Sequence, residues 1–149
     1  MKYSVSILKP DCIKRKMEGI VRSMLKQNGF TIILEKRMRL SRDDVIFIYE
    51  RCVDKDFFEG LSEFLTSSDV IVLVVSNSNT IDVVKKLNSL IGYTDPAFAK
   101  EGTIRKLGES VRRNIAHSSS DATSAWYEVF RLFSKKEIDD KGLKLGLKL

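Results

Sequence analysis

Val70-Ile71-Val72-Leu73-Val74-Val75 is continuously apolar and rich in β-branched residues. The run is too short to span a bilayer and has no polar alternation, so it predicts a central strand covered on both faces. Toward the N-terminus, Phe57 to Leu65 predicts a short helix. Ser41-Arg42-Asp43-Asp44 resembles a helix start, with Ser41 as cap, acids in the first turn, and Val45, Ile48 and Tyr49 following. Phe30, Ile32, Leu34, Met38 and Leu40 alternate with polar residues, which predicts a long strand with one apolar face. Met17, Ile20, Val21, Met24 and Leu25 recur at helical spacing until Asn28-Gly29. Tyr3, Val5 and Ile7 alternate with Lys2, Ser4 and Ser6 as a half-buried strand, ended at Lys9-Pro10-Asp11.

Toward the C-terminus, Ile81, Val84, Leu87, Leu90 and Ile91 predict a helix closed by Gly92. No period is sustained from Tyr93 to Arg113, and a loop this long in a small domain is usually functional or disordered. Asn114-Ile115-Ala116 is expected as a short strand. Ala122, Ala125, Trp126, Val129, Phe130 and Phe133 return to helical spacing, capped by Asp121 or a preceding serine. This order matches a split β-α-β, ferredoxin-like α/β (α+β) domain, a four-stranded antiparallel sheet covered by helices. One domain over residues 1–134 is expected, followed by a basic tail over 135–149. There Leu143, Leu145, Leu147 and Leu149 alternate with Lys144, Gly146 and Lys148, and the tail either frays or lays its leucines on a neighbouring subunit.

With 149 residues the chain can bury a sizeable core. Cys12 and Cys52 make no disulfide framework, and no signal peptide or membrane span is legible, so a cytoplasmic protein is expected. The excess of 26 Lys+Arg over 20 Asp+Glu suits anionic partners. Specific nucleic-acid binding is not expected, because Val70–Val75 carries no aromatic residue on which bases would stack.

His117 is the one histidine, so no two-histidine metal centre can form within a chain. An imidazole can act as base, acid, ligand or nucleophile. Four weak clusters accompany it: Lys9-Pro10-Asp11 after a strand; Tyr49 with Phe57 and Leu61; Thr94-Asp95-Pro96 and Gly102-Thr103-Ile104-Arg105 in the loop; and Asn114, His117 and Glu128. Together they suit a nucleotide: cations and a hydroxyl for phosphates (Lys9, Arg105, Thr94), an aromatic platform for a base (Phe57), and a phosphoryl acceptor. No glycine loop ending in Gly-Lys-Ser/Thr is present to cradle the phosphates.

On Ile7-Leu8-Lys9-Pro10-Asp11, Phe57-Phe58-Glu59-Gly60-Leu61, Thr94-Asp95-Pro96, Gly102-Thr103-Ile104-Arg105 and Asn114-Ile115-Ala116-His117, in this order, the chain resembles nucleoside diphosphate kinases from Tyr3 to Phe133. The resemblance implies transfer of a terminal phosphate between nucleotides through a phosphohistidine. It implies His117 as nucleophile, Glu128 on the other ring nitrogen, and Ser119 close by. Lys9 would serve the terminal phosphate and sugar hydroxyl, Tyr49 the transferred phosphate, and Asn114 the sugar hydroxyl. Thr94 and Arg105 would hold the inner phosphates, and Phe57 and Val111 would sandwich the base, bordered by Leu61. Mg2+ would ride on the phosphates, and a homo-oligomer is implied; the family forms both tetramers and hexamers, and the extra length beyond Phe133 favours the hexamer.

Two departures stand out. The family's arginine in the nucleotide-binding set is Asn88 here, with Lys85 one turn earlier as a substitute cation. The family's Gly-Ser-Asp-Ser after the histidine is Ser118-Ser119-Ser120-Asp121. They motivate a second reading, a nucleotide-binding relative with weak or lost turnover that acts through protein partners.

Overall fold

A computed structural model of the protein describes residues 3–141. Four strands, β1 (Tyr3–Leu8), β2 (Phe30–Met38), β3 (Val70–Asn77) and β4 (Ala116–Ser118), form one antiparallel sheet in the order β2-β3-β1-β4. The helices are α1 (Pro10–Lys14), α2 (Glu18–Gln27), α3 (Arg42–Ile48), α4 (Phe58–Thr66), α5 (Val83–Ile91), α6 (Ala122–Leu132) and α7 (Lys135–Asp140).

β3 is central, as its unbroken apolar run requires. Val70, Val72 and Val74 pack on one face with residues of α3, α4, α6 and α7. Ile71, Leu73 and Val75 pack on the other with residues of α2 and α5. The strand presents no open face for nucleic-acid bases. Capping follows the expected chemistry. Ser41 closes a capping box with Asp44 at the start of α3, and Asp121 accepts from the Ser124 N–H at 2.7 Å to start α6.

Four expectations are corrected. β2 does not have one apolar face: a register shift between Ile32 and Leu34 sends Phe30 and Ile32 to the α2/α5 side, and Ile33, Leu34 and Met38 to the opposite side. β1 is buried on both faces, because α6 packs on one side of it and α5 on the other, and small serines at positions 4 and 6 fit under the covering elements. The short strand near the histidine is Ala116–Ser118, two residues later than expected. Ile115 has φ +78°, a left-handed conformation that no strand accommodates. Ile81 lies outside α5, which Asp82 caps.

Where a tail was expected from residue 135, α7 begins with a capping box at Ser134, and its Ile138 is buried in the core of the same chain. The alternating leucines from residue 143 onward lie outside the described residues. Among the described residues, no helix is long and apolar enough to cross a membrane.

Candidate active site

β4 carries His117, and the alternation of side chains across a strand points its imidazole toward α3 and α6. There the Glu128 carboxylate, on α6, accepts from Nε2 at 2.7 Å. The second Glu128 oxygen accepts from the Ser119 hydroxyl at 2.9 Å. Both Glu128 and Ser119 are buried. A carboxylate can only accept, so it fixes the proton on Nε2 and leaves the Nδ1 lone pair open. The Tyr49 ring lies 5.2 Å from the imidazole, tilted by 58°. Burial pushes the Tyr49 pKa up, so its hydroxyl stays a donor.

The segment leading into β4 is held by side chains from the start of the chain. Ile115 is strained by its positive φ. Its N–H donates to buried Asp11 at 3.0 Å, and its carbonyl accepts from the Lys9 N–H at 2.9 Å. The Ser6 hydroxyl donates to the His117 carbonyl at 2.9 Å, and Arg105 Nε donates to the Ala116 carbonyl at 3.1 Å.

Beside this strand opens a cleft of about 630 Å³, lined by Lys9, Tyr49, Phe57, Leu61, Thr94, Arg105, Val111 and Asn114 among others. Phe57 and Val111 are each more than half exposed there, two apolar side chains left facing water. His117 itself does not line the cleft. Its side chain is 12% exposed and stands against the Tyr49 ring, which does line the cleft. Asn114 is fully employed as a clamp. Its Oδ1 accepts from Lys9 Nζ at 2.7 Å, and its Nδ2 donates to the carbonyls of Thr94 and Val111, each at 2.9 Å. One Oδ1 lone pair remains, so Asn114 can still accept from a hydroxyl but has no proton left to donate.

Lys9 is 3% exposed, and neither it nor Arg105 forms an ion pair among the described residues. Burial, then repulsion from Arg105, lowers the Lys9 pKa to about 7, with Asp11 opposing. Burial likewise lowers that of Arg105. Two desolvated basic groups without a carboxylate partner are costly to charge, and an anion entering the cleft relieves that cost.

At pH 8 Lys9 is largely neutral in the free protein, and a bound polyphosphate raises its pKa, so binding takes up a proton. Calorimetry of ADP binding in buffers of different ionisation enthalpy is expected to show uptake approaching about one proton at pH 8 and roughly none at pH 6. Lys9→Met should abolish the uptake.

Asn88 and Lys85 are not brought to this cleft. They border a separate hollow with Asp82, Ser89, Ser120 and Asp121, and the Asn88 Oδ1 accepts from the Ser118 hydroxyl at 2.6 Å. Cys52, Ser110, Arg112 and Arg113 line the cleft without having been singled out from sequence. The pair Arg112-Arg113, directly after Val111, was the available signal. No carboxylate is among the cleft residues, and no three metal-ligating side chains gather among the described residues.

An α/β domain with a carboxylate-aimed imidazole beside an anion-seeking cleft has the make-up of a phosphotransferase. The family model described as nucleoside diphosphate kinase matches residues 2–138. The nucleoside diphosphate kinase of Methanocaldococcus jannaschii is 40% identical over 135 residues, covering 90% of this chain and 94% of that protein. That of Phenylobacterium zucineum is 38% identical over 134 residues, covering 89% and 94%. Among solved structures, the Aquifex aeolicus nucleoside diphosphate kinase superposes with a TM-score of 0.82 at 28% identity, over 91% of this chain and 97% of that one. The Halobacterium salinarum nucleoside diphosphate kinase in complex with CDP gives 0.84 at 28% identity, over 91% and 90%. The chain belongs to the nucleoside diphosphate kinase family, and the ferredoxin-like arrangement expected from its sequence is the one it adopts.

Proposed function

We propose that the protein moves the terminal phosphate of a nucleoside triphosphate onto a nucleoside diphosphate in two half-reactions, with His117 as the carrier. Nδ1 attacks the terminal phosphorus. The bond from phosphorus to the bridging oxygen breaks, and the diphosphate leaves with that electron pair as the nitrogen–phosphorus bond forms. A second diphosphate then takes the group by the reverse steps. The observation that carries this reading is the 2.7 Å bond from Nε2 to Glu128, which sets the tautomer the attack requires.

The cleft residues divide the remaining work. Lys9, Arg105 and Thr94 meet the phosphates and offset charge that spreads over the phosphoryl oxygens. The Tyr49 hydroxyl donates to the transferred group. Phe57 and Val111 close on the base with Leu61 at its border, and Asn114 accepts from a sugar hydroxyl. Ser119 holds the far oxygen of Glu128. Stacking reads the face of a base rather than its edge, so broad base tolerance follows. Mg2+ enters on the nucleotide as part of the substrate, since the cationic cleft supplies no carboxylate to hold it.

The test is to mix the protein with terminally labelled ATP and magnesium, denature it, and look for acid-labile, alkali-stable label that GDP removes. Binding of ATP without label supports the second reading, a relative that has lost turnover.

A further inference from the structure

We propose that Asn88 is a positioning residue that holds the nucleophile strand to α5 through Ser118, and not a nucleotide contact. This rests on His117 being the phosphoryl carrier. β4 is only three residues long and lies at the sheet edge, so β1 is its one strand neighbour. Alternation along it sends His117 toward Glu128 and Tyr49, and Ser118 to the opposite face, where α5 lies. The Ser118 hydroxyl donates to Asn88 Oδ1 at 2.6 Å. Asn88 sits on a well-anchored helix, flanked by Leu87, Leu90 and Ile91 in the core and begun by the Asp82 cap. The strand is therefore gripped on both faces: by Glu128 through His117, and by Asn88 through Ser118.

The remaining side-chain ties on this strand run to its backbone, from Ser6 and Arg105. Among the described residues, the Asn88 bond is the one that joins a β4 side chain to α5. It also uses the Asn88 acceptor and aims it at the strand, away from the cleft lined by Lys9, Thr94 and Arg105. Two of the positions where the sequence departs from the pattern it otherwise resembles, 88 and 118, are thus bonded to each other. A hydroxyl at 118 supplies the donor and an amide at 88 the acceptor. Transfer demands an imidazole aimed to a fraction of an ångström, and small misplacement of a reacting group is costly.

The test measures the rate of His117 labelling by ATP in a single turnover, together with the Kd for ADP, in the full chain. Asn88→Ala and Ser118→Ala are each expected to slow labelling on the order of 10-fold with ADP affinity unchanged. The double variant should be no slower than either single one, and Asn88→Asp, which keeps an acceptor, should restore most of the rate. Weakened ADP binding in Asn88→Ala with a silent Ser118→Ala would make Asn88 a ligand contact and overturn the proposal. A labelled wild type matched in rate by all variants would overturn it alone. A wild type that never labels would overturn the carrier reading and this one with it.

Discussion

His117→Ala is expected to lose at least about 10⁴-fold in phosphate transfer while keeping its affinity for ADP. No second imidazole exists in the chain to take over as carrier. The nearest alternatives are the Tyr49 hydroxyl, whose pKa burial raises, and the Ser119 hydroxyl, whose proton is given to Glu128. Neither is a competent nucleophile near neutrality. ADP affinity should survive because Phe57, Val111, Lys9 and Arg105 line the cleft and His117 does not. The measurement is a coupled assay for transfer beside calorimetry for ADP. Transfer within tenfold of wild type would remove His117 from the chemistry.

Glu128→Gln is expected to cost on the order of 10³-fold in kcat with little change in KM, because orientation and tautomer are lost while the binding walls stay intact. Ser119 holds one carboxylate oxygen at 2.9 Å, and the imidazole the other at 2.7 Å. With an amide in that place, one of those two positions becomes an N–H donor. If the donor faces the ring, the imidazole proton moves to Nδ1 and the attacking lone pair disappears. If the carbonyl faces the ring, the geometry survives without the negative charge that favours the ring in its reacting orientation. Nitrogen chemical shifts of the single histidine distinguish the two cases, since they report which ring nitrogen carries hydrogen. An unaltered kcat would show that Glu128 has no part in turnover.

Most elements were legible because they follow local rules. The unbroken β3 run, the Ser41 box and the Asp121 cap each announce themselves within a few residues. β2 hid its bulge, although three consecutive apolar residues, Ile32-Ile33-Leu34, break strict alternation and carry the sign of it. β4 was misplaced because nothing local says that a β-branched Ile115 will take a left-handed conformation. That strain is held by Asp11, 104 positions earlier. The same limit governs the site. Residue types and order marked the cluster, and the structure sets most of them around one cleft. That Asn114 spends its amide as a clamp, that Lys9 is pressed toward neutrality by burial and then by Arg105, and that Asn88 turns to Ser118 all depend on partners distant in sequence. Composition and spacing carry no record of such pairings.

The ties across the site each join residues more than a hundred positions apart: Ser6 to His117, Lys9 to Asn114, Asp11 to Ile115. During synthesis the opening segments therefore emerge long before the residues they clasp, and the acid that aims the imidazole arrives after it. In the proposed site, the imidazole of a growing polypeptide therefore lacks its Glu128 partner until α6 has emerged.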